Sequence, residues 1–303
     1  MNGLFDDLRT AFRRQDNALI QLILINIIVF LGLLVVFATL RLTGLESIYF
    51  HYIEIHFELP SLLHKFVWRP YTLMTYAFQH AGVFHILFNM LFLYWFGMVV
   101  VEYLNSKRLV SIYILGALAG GIGFLLLYNT LIPPKSPLVG ASGAVYAVMV
   151  AAATIAPDYT FYLLLFGPVR IKYIVPILVI LSYVGLSGDN PGGNAAHLAG
   201  ALTGYLFVIQ LRKGNDLGAW IHNFMDFARG LFRKKSKIKV SHSSKKKSKV
   251  YSNAGAQNYA RPEAEEEMPN QAEIDAILDK ISASGYQSLT KEEKQKLFKA
   301  SKS

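Results

Sequence analysis

The chain contains no cysteine among its 303 residues. A disulfide, a thiolate nucleophile and a thiolate-ligated metal site are therefore all excluded. Charged residues make up only 17% of the sequence, against 53% hydrophobic residues, and they are scarce over long stretches. This balance excludes an ordinary soluble domain. It indicates a membrane protein, since about 20 apolar residues suffice to cross a bilayer core.

Six apolar segments are long enough, or nearly so, to form transmembrane helices. The first is too long for the core of a signal peptide and lacks a small-residue cleavage site after it, so we interpret it as a span. We therefore expect an all-α membrane protein built as a six-transmembrane-helix bundle. The segments are predicted near residues 18–40, 82–104, 109–131, 140–156, 170–187 and 194–211.

Cations concentrate in alternate connections between these segments, which is typical of the cytoplasmic side of a membrane. The pattern predicts that both termini are cytoplasmic. It also predicts that the second, fourth and sixth segments begin near the outer face. The cations are Arg9, Arg13, Arg14, Lys107, Arg108, Arg170, Lys172, Arg212 and Lys213.

The polar ends of the chain complete the predicted organisation: a cytoplasmic segment 1–16, a membrane domain 17–213, a basic and polar flexible linker 214–268, and a small helical hairpin 269–303. Lysine runs within the linker could indicate nucleic-acid binding. Directly after a membrane helix, a topology signal and attraction to anionic lipid headgroups are favoured. We therefore expect membrane lipid, and no nucleic acid, as a partner.

Helical spacing of apolar residues predicts the first helix of the C-terminal hairpin. Gly285 is expected to end that helix, and Thr290 with Glu293 forms a capping-box pattern at the start of the next. The hairpin is too small for a firm core of its own. The spaced apolar residues are Ile274, Ile277, Leu278 and Ile281.

Four polar residues fall in the first turns of the three segments that begin near the outer face: His85, Asn89, Ser142 and His197. Polar groups in membrane helices are costly and tend to face a bundle interior or a wet cavity. His85 and Asn89 lie four residues apart on one helical face, where they could form an interhelical hydrogen-bonding pair. His80 precedes them and is interpreted as an interfacial histidine with satisfied hydrogen bonds.

Ser142 lies among small residues, so it could simply be a packing residue. The nucleophile elbow of soluble hydrolases is excluded, because Ala144 replaces its last glycine and no strand precedes. The fourth segment is short, however, at about 25 Å against a core of about 30 Å. Its N-terminus should lie below the outer surface, where unpaired N–H groups can stabilise an oxyanion.

The sixth segment carries a small face at Ala196, Gly200 and Gly204, and His197 stands beside it. Histidine suits proton transfer near neutral pH, although a structural histidine bonded to a carbonyl is the alternative. Neither the fourth nor the sixth segment contains an acid, so a Ser–His dyad is the most that the sequence supports.

These residues together resemble the rhomboid intramembrane serine proteases over roughly residues 60–211. Three motifs carry the resemblance: Gly-x-Ser-Gly, His-x-x-x-Asn, and Gly-x-x-x-Ala-His-x-x-Gly-x-x-x-Gly. The Trp-Arg pair of the first outer loop is also present as Trp68 and Arg69. The motif positions are Gly140, Ser142, Gly143, His85, Asn89, Gly192, Ala196, His197, Gly200 and Gly204.

The resemblance implies that Ser142 is the nucleophile and His197 its general base. It implies an oxyanion hole of His85, Asn89 and the Ser142 N–H, and a Tyr146 that packs on the histidine. The implied substrates are single membrane spans cleaved near the outer face, admitted past the fifth helix and its outer loop. No metal or cofactor is implied, and we expect a bacterial inner membrane as the location.

Two other functions are open. An inactive rhomboid-like protein would bind membrane helices without cleaving them, but such relatives typically lose the serine or the histidine. A solute transporter is disfavoured because the polar helix starts cluster near one face of the membrane, whereas transporters bind at the midplane of broken inverted repeats.

Overall fold

The computed structural model describes residues 17–134, 136–163, 167–232 and 270–300. Residues up to 236 belong to one compact unit and those from 237 onward to a second. The predicted N-terminal segment 1–16 and the lysine runs at 233–239 and 245–249 lie outside the described residues.

Each of the six predicted apolar segments contains a helix. The helices are α1 (Ala18–Leu42), α2 (Val83–Tyr103), α3 (Ser106–Leu126), α4 (Ser142–Ile155), α5 (Ile171–Val184) and α6 (Pro191–Arg212). A π-helical turn, Leu127–Leu131, extends α3, and a 3-10 turn, Gly185–Ser187, extends α5. The chain is mostly helical and has the character of a membrane protein.

Three of these elements, Ala18–Leu42, Val83–Tyr103 and Ser106–Leu131, are long and apolar enough to cross a membrane. The exposed side of α1 is strongly apolar, with Leu31 half exposed and Val35 63% exposed. An apolar helix face left open by the bundle is the surface that lipid covers.

Side-chain caps fix where two of the helices begin. Asn105 precedes α3 and accepts a hydrogen bond from the Arg108 N–H at 2.9 Å. Asn190 precedes α6 and accepts one from the Gly193 N–H at 3.0 Å, with Pro191 as the first helical residue. Both arrangements satisfy N–H groups that a helix start otherwise leaves unpaired.

The core of the membrane unit surrounds α4, the shortest of the six helices together with α5. Eight of the 14 residues of α4 are buried, and it packs against α2, α3 and α6. At 14 residues α4 is about 21 Å long, which is less than the bilayer core of about 30 Å.

The loop between α1 and α2 contains only short helical turns. They are Glu46–Ile48, Tyr49–Ile53, Glu54–His56, Leu63–Val67, Thr72–Thr75 and Tyr76–Phe78. Arg69 links two parts of this loop, because its guanidinium donates a hydrogen bond to the Ile55 carbonyl at 2.7 Å. The neighbouring Trp68 is 84% exposed.

A β-hairpin between α4 and α5 departs from the all-α prediction. Strand β1 (Thr160–Leu163) pairs antiparallel with β2 (Gly167–Arg170), and Thr160 lies opposite Arg170. Threonine and aromatic residues favour strands. Phe161 also packs on Phe96 of α2, with ring centroids 5.2 Å apart.

The prediction of a flexible linker over 214–268 is wrong for its first part, because residues Ala219–Phe232 form a helix, α7. Ion pairs from α7 and the residues before it to the start of α3 hold this part in place: Asp226 pairs with Lys107 at 2.8 Å, and Asp216 with Arg108 at 3.2 Å. Aromatic residues recur at helical spacing in α7, a pattern that the surrounding polar sequence obscured.

The second unit contains α8 (Gln271–Ser284), a 3-10 turn Tyr286–Ser288, and α9 (Lys291–Ala300). Gly285 follows α8 with a φ of +76°. The Thr290 N–H donates to the Glu293 carboxylate at 2.7 Å, and the Glu293 N–H donates to the Thr290 hydroxyl at 3.3 Å. This reciprocal pair is a capping box at the start of α9.

Candidate active site

The loop before Ser142 is held in place by backbone hydrogen bonds to the loop between α1 and α2. The Leu59 N–H donates to the Leu138 carbonyl and the Leu138 N–H to the Leu59 carbonyl, both at 2.9 Å. The Gly140 N–H donates to the Tyr76 carbonyl, also at 2.9 Å. Non-helical backbone in a membrane protein needs such partners when no water can supply them. These bonds fix the point at which α4 begins.

Gly140 is the position in this loop that only glycine suits. Its φ of +120° lies in the left-handed region, and a Cβ there would stand 2.6 Å from Cε1 of His85. The absence of a side chain therefore lets the imidazole of His85 lie directly against the loop. His85 is thereby placed beside the start of α4.

The first residue of α4 and the second turn of α6 bring the two predicted catalytic side chains together. Nε2 of His197 lies 2.8 Å from Oγ of Ser142. The ring of Tyr146, one turn along α4, stacks on the imidazole of His197 with centroids 4.3 Å apart and planes 5° apart. The stack fixes the plane of the imidazole, and its Nε2 faces the hydroxyl.

Glycines make this approach possible by letting the backbones of α4 and α6 touch. A Cβ on Gly200 would collide with the carbonyl oxygen of Gly143, and one on Gly204 with the carbonyl oxygen of Ala147. The carbonyl oxygen of Ala196 lies 3.3 Å from where a Gly143 Cβ would stand. Small residues therefore set the distance between Ser142 and His197.

Gly192 is a packing residue on another side of α6. A Cβ there would lie 2.5 Å from the ring of Tyr128 and 2.8 Å from that of Phe124, next to α3. The glycine motif of α6 thus serves two neighbouring helices.

His85 and Asn89, near the start of α2, carry hydrogen-bond donors. The Ala81 N–H donates to Nδ1 of His85 at 3.3 Å, so Nδ1 is the acceptor and the imidazole proton is assigned to Nε2. That Nε2–H faces the Gly140 loop. Nδ2 of Asn89 donates one hydrogen to the His85 carbonyl at 2.9 Å and retains a second. Asn89 is buried.

Two further side chains belong to this region and were not found from the sequence. Tyr76 is buried and donates its hydroxyl to the Ala117 carbonyl at 2.6 Å, which anchors the loop that binds Gly140. Ser182 of α5 is buried against His197 and Tyr146. A single serine in an apolar helix carries no sequence signal that separates it from a packing residue.

The interpretation of His80 as a histidine with satisfied hydrogen bonds is wrong. The side chain is buried, yet neither ring nitrogen has a hydrogen-bond partner within the part of the chain that the structure describes. Its ring instead contacts those of His85 and Phe30 edge-on, at 5.2 Å and 6.4 Å between centroids. The sequence placed His80 just before the start of α2 but could not show that its ring packs against two other aromatic rings there.

No group of three His, Asp or Glu side chains within the described ranges could hold a metal ion. Ser142, Asn89 and both histidines of the predicted site each form at least one hydrogen bond with one another or with backbone. The arrangement offers a hydroxyl next to a basic nitrogen, with N–H donors nearby, which are the components of acyl-transfer chemistry.

Comparison with known proteins finds two family matches within the chain. Residues 67–214 match the rhomboid domain, and residues 264–303 match a family of unknown function, DUF6576. RHOMBOID-like protein 12, mitochondrial, of Arabidopsis thaliana is 31% identical over 48% of this chain and 48% of its own length. Rhomboid-like protein 11, chloroplastic, of the same plant is 28% identical over 66% of this chain and 68% of its own.

Rhomboid-related protein 2 of Mus musculus is 31% identical over 45% of each chain. The chain spans about half the length of the first curated relatives it matches. The matched segment 67–214 contains α2 to α6 and every predicted site residue. Residues 67–214 of this chain are therefore a rhomboid domain.

Proposed function

We propose that this protein is an intramembrane serine protease that hydrolyses peptide bonds of transmembrane helices through a Ser142–His197 dyad. The observation that carries the proposal is the 2.8 Å separation of Ser142 Oγ and His197 Nε2. A serine hydroxyl is a weak nucleophile until a base accepts its proton, and this distance permits that transfer.

The reaction proceeds in two halves. Oγ of Ser142 attacks the scissile carbonyl carbon while its proton passes to Nε2 of His197. The tetrahedral intermediate collapses when the C–N bond breaks and Nε2 returns the proton to the leaving amine. A water molecule, deprotonated by the same nitrogen, then attacks the acyl-enzyme ester and releases Ser142.

Three donors are placed to stabilise the oxyanion: the Nε2–H of His85, the remaining amide hydrogen of Asn89 and the N–H of Ser142. The first two are supported by the hydrogen bonds that already occupy the other atoms of those side chains. The third lies at the N-terminus of α4, where the helix dipole favours negative charge. Gly140 and Gly143 keep this region free of side chains.

We propose that α1 to α6 all cross the membrane, with both termini on the cytoplasmic side. The side chains of Lys107 and Arg108 at the start of α3, and of Arg170 and Lys172 at the start of α5, support this orientation. Ser142 then faces the outer half of the membrane. Single-span substrates would enter past α5 and unwind locally near the outer face. A bacterial inner membrane is proposed on the resemblance alone.

The alternative function is an inactive rhomboid-like protein that binds transmembrane helices without cleavage. The intact Ser142–His197 pair favours the protease, because a binding protein needs neither group at hydrogen-bonding distance.

The test is cleavage of a model single-span substrate by the purified protein, together with labelling by a fluorophosphonate probe. Ser142→Ala and His197→Ala should abolish cleavage, whereas Asn89→Ala should lower kcat about 10²-fold, since other donors remain. Ser136→Ala is the matched control, because Ser136 is an exposed serine six residues earlier. Cleavage by Ser142→Ala at the wild-type rate would refute the dyad, and a folded wild-type protein that neither cleaves nor labels would favour the alternative.

A further inference from the structure

A chain of hydrogen bonds continues from the predicted dyad into α5. Nδ1 of His197, the nitrogen that does not face Ser142, lies 3.2 Å from Oγ of Ser182. Oγ of Ser182 donates to the hydroxyl oxygen of Tyr146 at 2.9 Å. The Tyr146 hydroxyl in turn donates to the carbonyl oxygen of Leu178 at 3.3 Å. Ser182 is 3% exposed, so water does not replace these partners.

The Leu178 carbonyl, at the end of this series of hydrogen bonds, fixes the donor and acceptor of each bond in the series. Because a backbone carbonyl can only accept a hydrogen bond, Tyr146 donates its single hydroxyl proton to the carbonyl oxygen of Leu178. Its oxygen then accepts the single proton of Ser182. Ser182 has no proton left for His197 and can only accept from it. Nδ1 of His197 must therefore carry the imidazole proton.

We propose that Ser182 is a positioning residue that holds His197 in the tautomer with Nδ1 protonated and Nε2 free. The inference rests on the proposed protease function and adds a residue to it. Only this tautomer presents a lone pair to the hydroxyl of Ser142, and only the lone pair can accept the nucleophile's proton. Ser182 thus takes the place that a carboxylate occupies in a Ser–His–Asp triad, but without a charge.

In both histidines of the site the hydrogen bond at Nδ1 sets the tautomer, and the two tautomers are opposite. Nδ1 of His85 accepts from a backbone N–H, so its Nε2 is a donor. Nδ1 of His197 donates to Ser182, so its Nε2 is an acceptor. One imidazole is thereby suited to stabilise an oxyanion and the other to act as a base.

The experiment compares wild-type protein with Ser182→Ala, Ser182→Thr and Ser187→Ala in the substrate-cleavage assay. Ser182→Ala leaves Nδ1–H buried without an acceptor, and kcat should fall about tenfold with KM nearly unchanged. Ser182→Thr retains the hydroxyl and should recover most of the lost kcat. Ser187→Ala removes an exposed serine that follows the same helix and should match wild type. Equal kcat in Ser182→Ala and wild type, or a loss that Ser182→Thr does not recover, would overturn the proposal.

A spectroscopic measurement on the wild-type protein tests the tautomer without relying on the folding of a variant. The ¹⁵N signals of the His197 ring are identified by their loss in His197→Ala. At about pH 8.5, where ordinary imidazoles are neutral, they should show protonated Nδ1 and bare Nε2. The opposite pattern would refute the role of Ser182 even if cleavage depends on Ser142. Absence of cleavage and of probe labelling in wild type would instead reject the protease function and leave the tautomer result to stand alone.

Discussion

The helices α5 and α6 both contribute to the site around Ser142 and His197, but they pack against it in different ways. α6 touches α4 through backbone, at positions where any Cβ would collide with a carbonyl oxygen. α5 buries only Ile171, Val175 and Ser182. Ile174, Leu178 and Val179 are partly buried against the core, and six other large apolar residues are exposed: Tyr173, Ile177, Ile180, Leu181, Tyr183 and Val184.

This difference separates two requirements of the site. The distance between nucleophile and base depends on the α4–α6 contact, which leaves no room for a side chain at Gly200 or Gly204. The orientation of the base depends on Ser182, which α5 carries. A displacement of α5 would therefore separate Ser182 from His197 without changing the spacing of α4 and α6. On the proposed function, α5 is also the helix past which a substrate would enter.

The largest effect is expected from breaking the rigid contact. Gly200→Ala places a Cβ against the Gly143 carbonyl, so the helices must separate. We expect loss of cleavage and destabilisation of about 1–3 kcal/mol or more, since overpacking of a tight contact forces backbone shifts. Thermal unfolding in detergent micelles and the cleavage assay measure the two effects.

The matched control for this prediction is Gly32→Ala in α1, where a new Cβ would meet nothing within 4 Å. Replacing a mid-helix glycine by alanine without a clash should be neutral or stabilise by about 0.5–1 kcal/mol. Equal stability and cleavage in the two variants would show that α4 and α6 can separate without loss of function. The proposed difference between a rigid α4–α6 contact and a loosely packed α5 would then be refuted.

A second prediction compares two isoleucines within α5. Ile171, at the start of the helix, is fully buried, whereas Ile180 is 59% exposed. Ile171→Ala should destabilise the protein by about 2–5 kcal/mol, as for other buried truncations. Ile180→Ala should change the free energy of unfolding by less than about 0.5 kcal/mol. A similar loss for both in detergent unfolding experiments would mean that α5 is packed along its whole length.

Sequence patterns predicted the parts of this molecule that repeat or that carry rare residues. The six apolar segments are all helical within a few residues of their predicted bounds. Polar residues such as His85 and His197 were conspicuous in apolar segments, because a membrane helix rarely tolerates them without a partner. The glycines at Gly200 and Gly204 were recognisable from their four-residue spacing.

The missed features depend on contacts that no local pattern encodes. Ser182 is one hydroxyl in an apolar helix, and its importance arises only from the neighbouring Tyr146 and His197. Tyr76 contributes a carbonyl, which every residue has. Helix α7 was obscured by the polar residues around its aromatic ones, so average composition suggested a linker where periodicity indicated a helix.

The smallest predicted effect concerns the N-terminal end of α5, where Asp158 accepts from Lys172 at 2.6 Å and from Arg170 at 3.2 Å. The hydrogen bond and charge of Lys172 hold the pKa of the Asp158 carboxyl below its usual value of 3.8. A lowered carboxyl pKa means that the stabilising contribution is present at neutral pH and is lost as the pH falls through the lowered pKa. The melting temperature of wild type should therefore exceed that of Asp158→Asn slightly at pH 7, and the difference should shrink as the pH falls below the usual carboxyl pKa and vanish below the lowered one. A difference that stays constant across this range would show that the carboxylate charge contributes nothing, and that the buried Ile171 and the backbone bonds from Ile171 to Tyr159 and from Lys172 to Pro157 hold this end of α5 without it.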